Sequence, residues 1–160
     1  MKIILLIFSF LISTILSAQE TNIYNPNADA KTEIQQAVKE AKAEGKNVFL
    51  QIGGNWCPWC IKFHHFVESN SEIKNFVEKN FVVVKVNYSK ENKNLAILKE
   101  LDYPQRFGFP VFVILNGDGK RIHTQNSAYL EENGGYSEKE VLTFYKQWSP
   151  MALDPKTYEK

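Results

Sequence analysis

The sequence lacks an excess of either charge, and it also lacks internal repeats and low-complexity segments. It has 19 basic and 18 acidic residues, a formal net charge of +1. No basic patch with interleaved aromatic residues is present, so nucleic acid is not expected as a partner. A length of 160 residues is enough for one domain with a full hydrophobic core and too short for two. We therefore expect a single domain.

The sequence also lacks an apolar run long enough to span a membrane, which takes ~20 residues. It starts with Met1 and Lys2, followed by an apolar run over residues 3–16 that closes at Ser17-Ala18-Gln19. These features predict a secretory signal peptide over residues 1–18, and an uncleaved anchor helix is the alternative. No cysteine stands near the cleavage point, so a lipid anchor is not expected. We expect a periplasmic protein with no stable membrane insertion after cleavage.

Cysteine is scarce, and the two present lie in Trp56-Cys57-Pro58-Trp59-Cys60. Such spacing occurs in haem attachment, zinc, structural and redox sites. Haem attachment requires a histidine directly after Cys60, where this chain has Ile61. A metal site built from Cys57, Cys60 and His64 stays open as an alternative. A structural bridge over four residues gains roughly 2 kcal/mol, against about 3 for fifteen residues, so redox exchange is the favoured interpretation.

The residues around the cysteines predict a reactive thiol at the start of a helix. A strand-like run over residues 47–52 passes through Gly53-Gly54 into a helical pattern, with Cys57 at the cap and Pro58 in the first turn. Unpaired backbone N–H groups and the helix dipole stabilise a thiolate there, so Cys57 is the predicted nucleophile. Cys60 lies one turn further on the same face, so the pair can cycle between dithiol and disulfide.

Hydrophobic periodicity divides the rest of the chain into alternating helices and strands. Helices are predicted between Asp29 and Gly45, after Cys57 to the interruption at Asn70-Ser71, over 72–79, over 95–101, and from a capping box of Ser137 and Glu140 to Pro150. Strands are predicted over 47–52, 81–88 and 111–115, with a hairpin at 116–119 leading to 120–124 and a long loop over 126–136.

This alternation predicts a mainly parallel sheet with helices on both faces and the hairpin as an antiparallel edge. The run over residues 81–88 has the strongest strand signal and is expected at the centre of the sheet. The predicted organisation is a signal peptide over 1–18, a leader over 19–29, one domain over 30–149 and a tail over 150–160.

Three features, in this order, resemble the thioredoxin superfamily over roughly residues 30–148. They are the Trp-Cys-Pro-Trp-Cys motif after a strand, Phe109-Pro110 directly before a later strand, and the Asn116-Gly117-Asp118-Gly119 hairpin before a final helix. Among members of that superfamily, the chain resembles the exported single-domain proteins and the C-terminal domain of the disulfide-interchange reductase DsbD. The resemblance implies an α/β, thioredoxin-like fold with a central mixed β-sheet flanked by helices on both faces.

The resemblance also implies roles for residues outside the cysteine pair. Pro110 matches the family's cis-proline beside the disulfide, and Phe109 would offer backbone groups to an extended substrate segment. Pro58 and Trp59 stand between the cysteines, where the family tunes its reduction potential. The aromatic residues predicted to line a docking surface around the nucleophile are Trp56, Trp59, Tyr103 and Phe109.

Three positions depart from thioredoxin or need a second interpretation. Gln51 stands where the family has a buried acid that accepts the proton of the resolving thiol, which an amide cannot do. Lys85 matches a family lysine, with a lysine that reaches the edge of the sheet as the alternative. Ile61 replaces a basic residue often found after the second cysteine. We expect activation of Cys60 to rely on water or another group and to be slow near neutral pH.

These observations predict an exported thiol-disulfide oxidoreductase of the protein-disulfide reductase type. It would exchange its dithiol or disulfide with protein substrates, be reset by a redox partner protein, and need no metal or organic cofactor. A net oxidant or a disulfide isomerase is the alternative within redox chemistry. A binding or chaperone module of the same fold, and a metal-binding protein, are the alternatives of other classes.

Overall fold

A four-stranded mixed sheet with helices on both faces organises the computed structural model, which describes residues 22–159. The helices are α1 (Ala30–Glu44), α2 (Pro58–Ser69), α3 (Ser71–Asn80), α4 (Leu95–Glu100), α5 (Glu138–Gln147) and α6 (Pro150–Leu153). The strands are β1 (Asn47–Gly53), β2 (Phe81–Asn87), β3 (Val111–Leu115), β4 (Arg121–Asn126), β5 (Glu131–Glu132) and β6 (Gly135–Tyr136). Turns of 3₁₀-helix cover Pro104–Phe107, Ser127–Leu130 and Pro155–Thr157.

The strands of the main sheet lie in the order β2-β1-β3-β4. β1 pairs parallel with β2 and antiparallel with β3, and β3 pairs antiparallel with β4. The prediction of a mainly parallel sheet is wrong, because β1 with β2 is the single parallel pair in the main sheet that residues 22–159 form. The mixed sheet covered by helices on both faces is confirmed.

The prediction that residues 81–88 form the central strand is also wrong. Among the described strands β2 lies at an edge, and Val83 on it is 42% exposed. β1 and β3 hold the centre and are buried at every position. A run of β-branched residues favours a strand but does not indicate its place in the sheet. Such a run occurs in an edge strand with one solvated face as well as in a central strand.

The two faces of the sheet bury different kinds of side chain, because successive residues of a strand point to opposite faces. On one face, aliphatic residues of α1 and α4 pack on alternate residues of the strands, among them Leu50 and Val113. On the other face, rings from α2 and α5 pack on Phe49 and Phe112, whose centroids lie 5.3 Å apart. Gln51 shares the second face with Phe49, and this orientation points it toward α2.

Capping residues set most helix boundaries where the sequence predicted them. Asp29 Oδ1 accepts a hydrogen bond from the Lys31 N–H at 3.1 Å, and Gly45 ends α1 with φ of 67°. Asn70 both ends α2 and caps α3. Ser137 stands at the N-cap of α5, but its side chain makes no capping hydrogen bond, so the predicted capping box is wrong.

The C-terminal third contains structure that the sequence pattern did not predict. The loop over residues 126–136 holds a 3₁₀ turn and the small antiparallel pair β5 and β6. Pro150 begins α6, a single turn within the predicted tail, after α5 has ended at Gln147. Proline fits the first turn of a helix because no partner for its missing N–H is needed there.

Part of the predicted leader packs against the folded domain. The Tyr24 N–H donates to Asn55 Oδ1 at 3.0 Å, and Asn55 Nδ2 donates back to the Tyr24 carbonyl at 2.9 Å. Asn92 Nδ2 holds the Pro26 carbonyl at 3.1 Å. The predicted signal peptide, residues 1–18, lies outside the described residues, as do residues 19–21. None of the helices described here has the length and apolar character that crossing a membrane takes.

Candidate active site

Cys57 lies at the N-cap of α2, as the sequence predicted. Its backbone is extended, Pro58 follows in the first helical position, and the Cys60 N–H donates to Cys57 Sγ at 3.2 Å. The sulfur therefore meets the unpaired N–H groups and the positive dipole end of the helix. Both favour a thiolate over a thiol at Cys57.

Cys57 and Cys60 are joined in a disulfide whose Cα atoms are 5.2 Å apart. Cys57 is 3% exposed and Cys60 is fully buried, so Cys57 is the one that retains contact with solvent. The sequence left open a metal site that includes His64. Within residues 22–159 no group of three His, Cys, Asp or Glu side chains is arranged to hold a metal ion. The pairing of a buried cysteine with one that keeps contact with solvent suits a cycle between disulfide and dithiol.

Gly53 and Gly54 make room for the site. A Cβ on Gly53 would collide with Cys60 Sγ and lie 2.9 Å from Tyr24 Oη. A Cβ on Gly54 would collide with the Trp56 indole nitrogen and lie 2.7 Å from the Tyr88 carbonyl. The sequence pattern indicates only a passage between strand and helix at these glycines. Two adjacent glycines after a buried strand are themselves a sign that other groups approach the backbone closely.

A chain of buried polar groups runs from β2 to the cysteines. Lys85 Nζ donates to Gln51 Oε1 at 2.9 Å, and the two residues are directly paired in the β1–β2 register. Gln51 Nε2 donates to Tyr24 Oη at 2.8 Å and to the Cys60 carbonyl at 3.1 Å. Lys85 thus points into the site, although it stands on the edge strand of the described sheet.

Burial shifts the pKa of the two side chains at the ends of this series of hydrogen bonds, Lys85 and Tyr24. It lowers the pKa of Lys85 to about 8, while the negative charge of Glu68 opposes that effect. It raises the pKa of Tyr24, against a smaller opposite effect of the Gln51 hydrogen bond, so the phenol stays protonated at neutral pH. Tyr24 could not be predicted as a site residue, because an aromatic residue in a polar, turn-rich stretch gives no sign of where it packs.

Aromatic residues lie near Cys57, and Phe109 packs against the cluster that contains both cysteines. Trp56 is 56% exposed, and its indole N–H donates to the Tyr88 carbonyl at 2.6 Å. Phe109 packs edge-on against the Trp56 ring, with centroids 5.5 Å apart, and at a tilt against the Tyr88 ring, with centroids 4.7 Å apart. The Phe109–Pro110 peptide bond is cis, as the resemblance implied. Trp56 and Tyr88 also line a surface cleft of about 450 Å³.

The other two residues of the predicted docking surface behave differently. Trp59 packs inward, edge-on against Tyr136 at 5.5 Å, with Lys62 Nζ 4.3 Å from the centre of its ring. Tyr103 is half exposed before the Pro104–Phe107 turn, and its ring makes no aromatic contact within the part of the chain described. The structure therefore brings Trp56 and Phe109 together at the site, with Trp59 as an internal support.

Comparison with known proteins decides the family. Residues 29–117 match the family model described as Thioredoxin-like. This chain belongs to the thioredoxin-like family. Its fold and its Cys57–Cys60 pair make it a disulfide-oxidoreductase-like member, and the resemblance inferred from the sequence is confirmed.

Relatives of this thioredoxin-like chain handle disulfides, according to their names. It is 28% identical over 92 residues to the thiol:disulfide interchange protein DsbD of Vibrio cholerae, a match that covers 57% of this chain and 15% of DsbD. It is 26% identical over 93 residues to the disulfide bond reductase DsbH of Chlamydia pneumoniae, covering 54% of this chain and 56% of DsbH. The chain thus spans about half of one relative and a smaller part of the other.

A solved structure extends the likeness of this thioredoxin-like protein to most of its length. The disulphide isomerase of Xylella fastidiosa superposes with a TM-score of 0.70 at 27% identity. The superposition covers 79% of this chain and 95% of that one.

Proposed function

We propose that this protein is an exported thiol-disulfide oxidoreductase that reduces disulfides in partner proteins. The observation that supports this most directly is the disulfide itself: Cys57 Sγ sits at the start of α2 and is bonded to a cysteine one turn further on. A helix start lowers the pKa of a thiol, and a second thiol within bonding distance makes the reaction reversible. Cys57 and Cys60 are the proposed catalytic residues.

The reaction is two successive thiol-disulfide exchanges. The Cys57 thiolate attacks one sulfur of a partner disulfide, forms a mixed disulfide with it and releases the other partner sulfur as a thiolate. Cys60 then loses its proton and attacks Cys57 Sγ, which restores the Cys57–Cys60 bond and releases the second partner sulfur. The partner gains two electrons and this chain loses two. A separate redox partner protein must return them before the next cycle.

Residues near Cys57 are proposed to hold the partner. Phe109 packs against both the Trp56 ring and the cluster that contains Cys57, and Pro110 follows Phe109 directly before a central strand. The exposed part of the Trp56 ring offers apolar area to a partner segment. Pro58 sets the first turn of α2, and Trp59 anchors that turn against Tyr136.

The direction of electron flow and the compartment are inferred from two further observations. DsbH, one of the relatives, is named as a disulfide bond reductase, which favours reduction. Residues 1–18 have the composition of a signal peptide, which favours export to the periplasm. Sequencing the N-terminus of the protein recovered from the periplasmic fraction tests export: the chain should begin near Gln19, and a chain beginning at Met1 would contradict cleavage.

Reduction of insulin and covalent trapping test the reaction. The parent protein should catalyse insulin reduction by dithiothreitol. Cys60→Ser should accumulate mixed disulfides with partners, and Cys57→Ser, the matched control, should accumulate none. A protein that reduces no disulfide and traps no partner would be a binding module of this fold instead. A reduction potential near ~−270 mV would agree with a reductant, and one near ~−120 mV would indicate an oxidant.

A disulfide isomerase is the second candidate function. The superposed Xylella fastidiosa protein carries that name and matches this chain over most of its length. An isomerase should restore activity to scrambled ribonuclease at a rate that survives Cys60→Ser, because rearrangement needs the attacking cysteine and not net electron transfer. A net reductase should lose its activity in the same variant.

A further inference from the structure

The Tyr24 hydroxyl ends a directed chain of hydrogen bonds that begins at Lys85. A lysine ammonium only donates, so the Gln51 atom that it contacts must be the amide oxygen. This fixes the orientation of the Gln51 amide, whose NH₂ group then donates to Tyr24 Oη and to the Cys60 carbonyl. The Tyr24 oxygen therefore accepts a hydrogen bond, and its own O–H proton is left to be donated to another atom.

The Cys60 sulfur lies beside that hydroxyl. Cys60 Sγ and Tyr24 Oη occupy the same side of Gly53, where a single added Cβ would crowd both atoms. They belong to one buried cluster with Cys57. In the disulfide form the two atoms make no hydrogen bond in the described part of the chain. Reduction gives Cys60 a thiolate form, whose negative charge makes it a much stronger acceptor than a disulfide sulfur.

We infer that Tyr24 is a third side chain of the redox site, whose O–H donates to the Cys60 thiolate in the reduced protein. Its part in turnover rests on the proposed function. In the mixed disulfide, the Cys60 thiol gives its proton to water, and the Tyr24 hydroxyl stabilises the sulfur anion that remains. That sulfur then bonds to Cys57 Sγ while the partner sulfur leaves with the electron pair of the broken bond. Tyr24 keeps its own proton throughout.

A buried thiolate at Cys60 requires a hydrogen-bond donor, and a neutral donor can supply the bond without burying a second charge. Burial raises the pKa of a thiol, and Gln51 cannot accept the thiol proton. A hydrogen bond to the charged form opposes the effect of burial. The other titratable groups near this cluster are Tyr136, whose charge acts on Tyr24, and Lys85, which interacts with Glu68 and His64. Lys85 also favours a thiolate through its charge, so the experiment leaves Lys85 unchanged.

The test measures ionisation of Cys60 alone. In a Cys57→Ser background labelled with ¹³C at cysteine Cβ, the Cβ chemical shift is followed against pH. Adding Tyr24→Phe removes the hydroxyl and keeps the ring, and it should raise the midpoint by about one pH unit, which is a tenfold loss of thiolate below the midpoint. Tyr145→Phe, at another fully buried tyrosine, is the matched control and should leave the midpoint unchanged.

A midpoint that Tyr24→Phe leaves in place would overturn the inference. If that variant does not fold, ¹³C-labelling of tyrosine Cζ in the Cys57→Ser protein replaces it. The Tyr24 Cζ signal should then shift with the same midpoint as Cys60, and a signal that ignores Cys60 ionisation would also overturn the inference. Neither measurement uses a substrate. A protein that reduces no disulfides could therefore still pass this test, and an active reductase could fail it.

Discussion

The two sulfur atoms of one disulfide lie in surroundings of different origin. Cys57 is set up by its own neighbours in the chain, since the cap position, Pro58 and the N–H groups of α2 all come from one short stretch. Cys60 is set up by distant residues: Gln51 from β1, Lys85 from β2 and Tyr24 from the N-terminal segment. The proposed nucleophile is therefore positioned by local sequence, and the proposed resolving cysteine is positioned by the tertiary fold.

This difference should appear first as unequal reactivity in the reduced protein. At pH 7 iodoacetamide should label Cys57 at least about a hundredfold faster than Cys60, because the helix start favours a Cys57 thiolate while burial shields Cys60. Mass spectrometry of the labelled peptides gives both rates. Urea-unfolded protein is the control, where the two rates should converge. Equal rates in the folded protein would remove the distinction between the two sulfurs.

The free energy of unfolding should depend on pH through Lys85, whose charge is buried near Cys60. The pKa of Lys85 is lowered by burial to about 8, from 10.5 in an unfolded chain, so between these values the unfolded state binds more protons. Below pH 8 the folded state carries the full cost of the buried charge, and the cost is relieved as pH rises to 10.5. The oxidised parent should gain on the order of 2 kcal/mol relative to Lys85→Met over this range.

Urea unfolding at pH 7.5, 9 and 10.5 measures this difference in the free energy of unfolding. Comparison with Lys85→Met cancels the titration of lysines and tyrosines elsewhere in the chain. Lys139→Met, at an exposed lysine on α5, is the control for the loss of a positive charge at the surface. A constant difference between the parent and Lys85→Met would mean that Lys85 is solvated in the folded protein.

Crowding at Gly53 tests how closely the Cys60 surroundings are packed. Gly53→Ala should reduce the free energy of unfolding by about 2 kcal/mol, because the new methyl group collides with Cys60 Sγ and crowds Tyr24 Oη. Gly135→Ala is the control, since the nearest atom to its Cβ is 3.7 Å away. Thermal unfolding of the oxidised proteins measures both. Equal melting temperatures for Gly53→Ala and the parent would show that the cluster can relax around a methyl group.

The local half of this comparison could be predicted from the sequence. The N-cap at Cys57, the role of Pro58 and the break at Asn70 all follow from residue types within a few positions of one another. The cis peptide bond before Pro110 came from the family resemblance, because proline at a strand start is compatible with either isomer. The order of α1 to α5 and of the four strands of the main sheet was predicted for the same local reasons, whereas β5, β6 and α6 were not predicted.

The tertiary half could not be predicted. Nothing in the residues around Tyr24 indicates that it lies close to Cys60, because that placement depends on the two hydrogen bonds that Tyr24 exchanges with Asn55 and on the space that Gly53 leaves. The edge position of β2 was missed since strand propensity is similar on edge and central strands. Lys85 was recognised, but the direction of its side chain follows from the register that pairs it with Gln51.

A carboxylate at position 51 should make the Cys60 surroundings resemble those of thioredoxin. Gln51→Glu keeps the side-chain length and adds a group that can accept the Cys60 proton, so decay of a mixed disulfide at pH 7 should be about tenfold faster. Gln36→Glu adds the same charge on the exposed face of α1 and should have no effect. Stopped-flow release of the second thiolate from a small aromatic disulfide gives the rate. An unchanged rate would mean that proton removal from Cys60 is not limiting.

The smallest expected effect lies on the Cys57 side, at its solvent-facing aromatic residues. Trp56→Ala removes an exposed ring that packs on Phe109, and it should raise the KM for insulin a few-fold while leaving kcat nearly unchanged. The rate with a small aromatic disulfide should not change, because such a substrate reaches Cys57 without resting on the ring. Tyr129→Ala, at an exposed aromatic residue on the Ser127–Leu130 turn, is the control. If Trp56→Ala slows the reaction with both substrates equally, Trp56 does not bind the partner. It would then act by holding the segment before α2 in place through its hydrogen bond to the Tyr88 carbonyl.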